Sequence, residues 1–214
     1  MPGAEYAPID LMLTLYHSLT SPYARKVRSV LLEKCVTFEG VNVAESTRPV
    51  AEHNPLGKVP TLVLGDGTVL FDSRVIVETL DAMYPEPRLI PLDPRARAIV
   101  RHWEALADGI CDVLIPVILD SRRAPEQRDA AYALKLSNKV RACLDYVEPL
   151  VDGRDDVGDA FSLADVALVC AFGYIQLRRP ELLDGRDVIQ GYVARQLRRP
   201  SLKETVPPNV PIRG

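Results

Sequence analysis

The hydrophobic pattern of the chain changes once, and this change constrains the fold more than any single motif does. Before residue 86, short apolar runs typical of strands alternate with helical patterns, whereas after residue 94 every pattern is helical. The segment between them, 86–94, contains three prolines, a composition typical of linkers. We therefore predict an α/β domain over residues 11–85, a linker over 86–94 and an all-helical domain over 95–214.

The first domain is predicted to contain four strands and two helices. The strands are expected at 11–17, 36–43, 60–64 and 68–71, and the helices at 22–34 and Ser73–Met83. The last two strands flank the turn sequence Gly65-Asp66-Gly67, which favours an antiparallel hairpin. The order strand, helix, strand, irregular segment, hairpin, helix indicates a thioredoxin-like sheet.

The second domain is predicted to contain four helices, at 95–119, 125–150, 163–177 and 188–197. The third of these is apolar on nearly all sides, which places it at the centre of its domain. Ser162 and Asp165 stand at its start with the spacing of a capping box. A catalytic Ser–Asp pair is the alternative interpretation. We favour a structural cap, because a buried helix start needs partners for its first N–H groups.

The charge balance argues against nucleic acid and membranes as partners. The chain has 26 basic and 29 acidic side chains and a net charge of −3, so it lacks a basic footprint. No apolar run approaches the roughly 18 residues of a membrane span. Neither the cysteines nor the histidines have metal-ligand spacing, and no metal site is predicted. We interpret the cysteines as buried thiols of a reducing, cytoplasmic compartment, and they are Cys35, Cys111, Cys143 and Cys170.

Pro60 stands at the beginning of an apolar, strand-like run, in the sequence N-P-L-G-K-V-P-T-L from Asn54 to Leu62. Proline lacks an N–H and fixes φ, so it interrupts a central strand. One interpretation is a trans proline at a strand start, which is the commoner form. The other is a cis Val59–Pro60 bond, which makes a corner and leaves the N–H and C=O of Val59 free for another partner.

Two predicted helix starts in the same domain carry polar side chains. Ser21 precedes the helix that begins at Pro22, and Asp72 and Ser73 stand at the start of the next one. Each is explained by ordinary helix capping. Each can also hold a charged ligand group, because a helix N-terminus favours an anion. In a thioredoxin-like sheet these two loops and the Pro60 loop converge on one edge.

Four motifs in order resemble those of a bacterial cytosolic glutathione transferase of the Ser type, related to the beta and zeta classes. They cover nearly the whole chain and read S-P-Y-A-R-K-V-R, N-P-L-G-K-V-P-T-L, F-D-S-R-V-I and F-S-L-A-D-V-A-L. The resemblance implies a thioredoxin-like N-terminal domain, a helical C-terminal domain, a homodimer and glutathione as co-substrate without a metal. It also implies a role in detoxification.

The resemblance further implies the site residues. Val59, before a cis Pro60, pairs through its backbone with the cysteinyl part of glutathione. Asp72 and Ser73 hold the γ-glutamyl ammonium and carboxylate. Lys58 reaches the glycyl carboxylate. Ser21 donates a hydrogen bond to the sulfur, and the stabilised thiolate attacks a small electrophile held by the second domain.

Several alternatives stay open from the sequence. Ser18, Thr20 or Tyr16 stands close enough to Ser21 to replace it as thiol activator, although core packing suits Tyr16 better. The protein is also compatible with a glutathione-dependent isomerase or with a non-catalytic binding protein of the same fold. The loop lacks the S-S-C-S run of maleylacetoacetate isomerases, which disfavours the isomerase. The sequence does not name the electrophile or decide among transferase, peroxidase and isomerase activity.

The acceptor side of the site is expected along the helix 95–119. A polar stripe on this helix is most simply a solvated face, although part of it could border the cleft, and its members are Arg101, Glu104, Asp108 and Asp112.

Overall fold

The computed structural model describes residues 12–208 and residue 210. Its strands are β1 (Leu13–His17), β2 (Phe38–Asn42), β3 (Thr61–Val63) and β4 (Val69–Leu70). Its α-helices are α1 (Pro22–Glu33), α2 (Ser73–Met83), α3 (Pro94–Ser121), α4 (Ala130–Val151), α5 (Leu163–Arg178), α6 (Asp187–Gln196) and α7 (Pro200–Glu204). The predicted leader before residue 11, and Leu11 as the first residue of β1, lie outside the described residues.

The four strands form one sheet in the order β2-β1-β3-β4. β1 runs parallel to β2 and antiparallel to β3, and β3 pairs antiparallel with β4. The parallel pair requires a crossover, which α1 supplies, whereas the tight turn between β3 and β4 needs only a short loop. A four-strand sheet with helices is therefore followed by a helical C-terminal domain, as predicted.

Helix α1 joins the two parts of the molecule. It contacts α2 beside the sheet, and α5 and α7 of the helical part. Arg25 and Lys26 are buried in this contact with 2% and 1% exposure. The guanidinium of Arg25 donates to the carbonyl oxygens of Val169 and Leu202 at 3.3 and 3.2 Å. Two polar residues on one side of α1 thus fasten the sheet to the helical domain.

The polar stripe on α3 is only partly a solvated face. Glu104 and Asp108 are buried, with 1% and 6% exposure, and both accept from Lys26 Nζ, at 2.8 and 2.9 Å. The solvated interpretation is therefore wrong for these two residues, whereas Asp112 is exposed. The reason lies outside the local pattern, because the buried ammonium that pairs with the stripe comes from α1, 78 residues earlier than Glu104.

Helix α5 lies at the centre of the helical domain, and nearly all of it is buried. Its start contains the capping box: Ser162 Oγ accepts from the N–H of Ala164, and Asp165 Oδ2 accepts from the N–H of Ser162 at 2.9 Å. Asp165 Oδ1 also accepts from the N–H of Val157 at 2.7 Å and from the hydroxyl of Tyr192 at 2.6 Å. This carboxylate therefore fixes the loop before α5 and helix α6 as well as the helix start.

Three local predictions differ from the structure. The segment predicted to open the fourth helix forms a short 3-10 turn at Pro125–Gln127, and α4 begins only after Asp129, whose side chain caps it. Helix α7 was not predicted, because five residues are too few to show a helical period. Of the four cysteines interpreted as buried, Cys35 is exposed just beyond the end of α1 and Cys143 is half-buried. Within the described part of the chain, no helix is long and apolar enough to cross a membrane.

Candidate functional site

A cleft of about 610 Å³ lies between the sheet and the helical domain. Its sheet side is formed by the loop from β1 to α1, the loop before β3 and the junction of β4 with α2. Its other side is formed by the second half of α3 and the end of α5. The three loops that the sequence places at one sheet edge therefore open into the same cleft.

Ser21 lines the cleft at the start of α1. Its Oγ accepts from the N–H of Ala24 at 3.2 Å, and its own N–H donates to the carbonyl of Ser18 at 3.2 Å. Because the hydroxyl oxygen acts only as acceptor in the cap, its hydrogen remains available to a ligand in the cleft. The partial positive charge of the helix N-terminus acts in the same direction, since both favour an anion at this point.

The neighbours of Ser21 differ in position. Ser18 and Thr20 also line the cleft, and their hydroxyl oxygens lie 3.3 Å apart. Tyr16 does not line it: this side chain is 4% exposed, and its hydroxyl bonds His53 Nε2 at 2.9 Å. Core packing is thus the role of Tyr16 in the fold, and the activator candidates that reach the cleft are Ser18, Thr20 and Ser21.

The loop before β3 is held by Asn54. The side-chain amide of Asn54 donates to the carbonyl of Lys58 and to Thr61 Oγ1, both at 3.0 Å, and this side chain is 1% exposed. The Val59–Pro60 bond is cis. Among the residues that the structure describes, neither the N–H nor the C=O of Val59 has a hydrogen-bond partner. The loop therefore presents one unpaired backbone unit beside the cleft, of the kind that can pair with an extended peptide.

Asp72 and Ser73 occupy the start of α2, also beside the cleft. Asp72 Oδ1 accepts from the N–H of Arg74 at 2.9 Å, and the exposed carboxylate keeps its other oxygen for a ligand. No partner of the Ser73 hydroxyl is found in the described part of the chain, although this residue is only 2% exposed. The pair thus offers an acceptor for an ammonium group and a donor for a carboxylate.

Two polar contacts that sequence reasoning missed connect this side of the cleft to α3. Arg74 Nε donates to Asp108 at 2.9 Å, and the hydroxyl of Tyr23 donates to Asp112. Burial, followed by the bond to Asp112, raises the pKa of Tyr23 far above its usual range, so this phenol stays protonated. Arg74 and Tyr23 are 34 and 89 residues away from their partners along the chain, so no local sequence pattern predicts these two contacts.

The helical side of the cleft also carries apolar side chains and two cations. Ile115, Ile118 and Leu119 belong to α3, Arg122 caps the end of that helix, and Arg178 is the last residue of α5. Lys58, on the opposite side, is exposed. In the part of the chain that the structure describes, no group of three His, Cys, Asp or Glu side chains is arranged to hold a metal ion.

The family models for the N-terminal and C-terminal domains of glutathione S-transferases match residues 15–88 and 106–200. The uncharacterized GST-like protein YibF of Escherichia coli K12 is 38% identical over 201 residues, which are 92% of this chain and 99% of that protein. The chain belongs to the glutathione S-transferase family. The family match spans both the sheet that supplies the three loops and most of the helices that complete the cleft.

Other curated relatives of this transferase family member have different functional names. A stringent starvation protein A homolog of Pasteurella multocida is 31% identical over 208 residues, covering 94% of this chain and 92% of that protein. Mouse maleylacetoacetate isomerase is 31% identical over 163 residues, covering 72% and 74%. Membership of the family therefore leaves the reaction open.

Two solved transferases of similar structure were determined with glutathione or a derivative bound. The glutathione S-transferase of Methylobacillus flagellatus, solved with glutathione bound, is 42% identical with a TM-score of 0.86, covering 91% of this chain and 99% of that one. A family member from Pseudomonas fluorescens Pf-5, solved with S-(propanoic acid)-glutathione, is 34% identical with a TM-score of 0.78, covering 92% and 100%.

Proposed function

We propose that the protein is a glutathione transferase that binds glutathione in this cleft and uses the Ser21 hydroxyl to stabilise the thiolate for attack on a small electrophile. The observation that carries the proposal is that three elements with unpaired polar groups line one cleft. These are the cap hydroxyl of Ser21, the unpaired backbone of Val59, and the Asp72–Ser73 pair. Glutathione bound to the Methylobacillus flagellatus relative supports the same ligand here.

Each group has a chemical task in this proposal. Val59 pairs with the cysteinyl backbone as an added strand does, and Asp72 and Ser73 bind the γ-glutamyl ammonium and carboxylate. In the same proposal Lys58, whose carbonyl accepts from Asn54, binds the glycyl carboxylate through its ammonium group. A free thiol of pKa about 8.5 is mostly protonated at neutral pH. A hydroxyl donor and a helix N-terminus both stabilise the charged form, which makes the sulfur a nucleophile.

We also propose the wider organisation that this role requires. Residues 11–85 bind glutathione, residues 95–214 contribute the electrophile site, and residues 86–94 link them. The protein acts as a cytoplasmic homodimer in detoxification. The conjugate bound to the Pseudomonas fluorescens relative supports a cleft with room for glutathione carrying a substituent on sulfur.

Replacement of Ser21 by alanine tests the activation step. A hydrogen bond to a charged group contributes about 1.5 to 3 kcal/mol, so the pKa of the bound thiol should rise by about 1 to 2. The thiolate absorbance of enzyme-bound glutathione, titrated against pH, measures this change. Ser18→Ala is the matched control, because Ser18 lies in the same loop and lines the same cleft. An unchanged titration in Ser21→Ala together with a raised pKa in Ser18→Ala would assign the role to Ser18.

A glutathione-dependent isomerase is the second candidate, favoured by the 31% identity to mouse maleylacetoacetate isomerase. A non-catalytic binding protein is the third candidate. Retention on immobilised glutathione without any thiolate signal would indicate the binding protein. Turnover of a cis-dienoic acid without net consumption of glutathione would indicate the isomerase, whereas consumption of glutathione with haloaromatic, epoxide or peroxide substrates would support the transferase family of reactions.

A further inference from the structure

Two arginines at the edge of the cleft have no role in the binding of glutathione proposed above. Arg122 caps the end of α3, and Arg178 ends α5, so two helices from different parts of the domain bring two cations to the same side of the cleft. Tyr174 lines the cleft as well, and its ring centroid is 5.9 Å from the Arg178 guanidinium carbon. Burial raises the pKa of Tyr174, and both arginines oppose this effect.

The acidic groups of α3 do not neutralise these cations. Asp108 accepts from Lys26 and Arg74, and Asp112 accepts from the hydroxyl of Tyr23. In contrast, no ion pair with a carboxylate is found for Arg122 or Arg178 among residues 12–208 and 210. Two guanidinium charges that line the cleft are therefore not offset by a carboxylate, which favours an anionic ligand beside them.

Apolar side chains of α3 line the cleft together with these arginines, and they are Ile115, Ile118 and Leu119, the last of which is 54% exposed. The carboxylates of Asp108 and Asp112, which have the partners named above, line it as well. A ligand in this part of the cleft therefore meets both hydrophobic side chains and guanidinium groups. Guanidinium groups bind carboxylates through two parallel N–H···O bonds, which makes arginine better suited to this ligand group than lysine.

We propose that the electrophile is an apolar molecule with a carboxylate, which Arg122 and Arg178 bind at the end of the cleft away from glutathione. The inference rests on the proposed function, since it assigns a substrate class to the same site. Cations also occur at helix C-termini for the sake of the helix dipole alone. The two interpretations differ in one measurable respect, because only the first makes the arginines discriminate between charged and neutral substrates.

A pair of nearly isosteric substrates, one anionic and one neutral, provides the test. The pair is 4-chloro-3-nitrobenzoate and 4-chloro-3-nitrobenzamide. In both reactions the thiolate sulfur forms a bond to the ring carbon, chloride leaves with the electron pair, and the thiol proton passes to solvent. Each enzymatic kcat/KM is divided by the rate constant of the uncatalysed reaction with glutathione. The wild type should prefer the benzoate by about tenfold or more, the effect of one charged hydrogen bond.

Arg122→Met and Arg178→Met should each reduce this preference by about tenfold, and the loss should lie mainly in the kcat/KM of the benzoate. Arg122 is exposed, so its replacement does not threaten folding. Arg123→Met is the matched control, because Arg123 is adjacent and exposed, pairs with Asp120 at 3.5 Å and does not line the cleft. It should leave the preference unchanged. Equal preference in the wild type and both variants would overturn the inference.

Calorimetric binding of the two preformed glutathione conjugates separates this inference from the proposed function. Tighter binding of the carboxylate conjugate, lost in Arg122→Met, supports the inference even if thiol activation by Ser21 proves wrong. Equal affinity of the two conjugates overturns the inference and leaves glutathione binding intact. If neither glutathione nor either conjugate binds, the proposed function is overturned and the inference with it.

Discussion

Replacing Asp165 by alanine should destabilise this protein far more than the loss of an ordinary helix cap. The carboxylate is fully buried and receives hydrogen bonds from the N–H of Ser162, the N–H of Val157 and the hydroxyl of Tyr192. A cap alone contributes about 0.5 to 2 kcal/mol. Here the substitution also leaves two further buried donors unpaired, each at a cost of about 1 to 3 kcal/mol.

The charge of Asp165 offsets part of this loss. Burial raises the pKa of this carboxyl despite its hydrogen bonds, so the native state bears a desolvation cost that alanine removes. We therefore expect a decrease of about 3 to 5 kcal/mol in the free energy of unfolding. For a chain of this length, that corresponds to a decrease of about 10 °C in Tm.

Equilibrium unfolding in urea, followed by circular dichroism, measures the decrease. Asp129→Ala is the matched control, because Asp129 is the exposed cap of α4 and its side chain accepts one bond, from the N–H of Tyr132 at 2.8 Å. That variant should lose about 1 kcal/mol. Equal decreases in the free energy of unfolding of the two variants would show that the bonds from Val157 and Tyr192 to Asp165 do not add to the stability of the cap. Loss of activity in Asp165→Ala with an unchanged unfolding curve would indicate a catalytic carboxylate instead.

Three further predictions concern the contacts of α1 and the end of β1. Gly173→Ala should destabilise the protein by about 2 kcal/mol, because its Cβ would lie 2.2 Å from Arg25 Nη1, which is buried and hydrogen-bonded. Lys26→Met should cost about 3 kcal/mol, because Glu104 and Asp108 lose their shared buried cation and keep only the less buried Arg101 and Arg74. Stability should fall on acidification, because burial and the nearby Arg28 lower the pKa of His17 to about 4. The unfolded chain takes up this proton below pH 6.5, so about 2 kcal/mol is lost by pH 5.

Each of these predictions has its own control. The double variant Arg25→Met/Gly173→Ala removes the clash, so the two substitutions should be less costly together than their sum. Additive losses of unfolding free energy would mean that a clash with Arg25 is not the reason why Gly173→Ala is destabilising. Asp108→Asn should likewise reduce the cost of Lys26→Met. For the pH effect, His17→Gln should flatten the stability curve between pH 7 and 4, and an unchanged slope would assign the acid lability to other groups.

Much of the candidate site was predictable because its groups are local. Ser21 and Asp72 cap the two helix starts beside the cleft, Ser73 is the first residue of α2, and a helix start is recognisable from a few consecutive residues. Val59 and Pro60 were found in the same way, since proline in a strand pattern is conspicuous. In each case the residue type and its neighbours along the chain carry the signal, although the resemblance to a known family was needed to assign ligand groups.

The remaining site residues could not be predicted, because their partners come from distant elements. Tyr23 and Arg74 reach α3, and Arg122 and Arg178 meet at the cleft only because α3 and α5 end on the same side. The local pattern around Arg122 shows only a helix end with adjacent charges, which is compatible with a solvated surface.

The sequence by itself determined the two-part fold, the capping box at Ser162 and Asp165, and the identity of the three sheet-edge loops that line the cleft. Periodicity and capping depend on residues within one or two helical turns, so they can be recognised in the sequence before the fold is known. Only the tertiary structure decided that Glu104 and Asp108 are buried beside Lys26 instead of solvated. Lys26 of α1 pairs with these carboxylates of α3 in a place that water does not reach. The residue pattern of α3 alone cannot show which charge α1 brings to it.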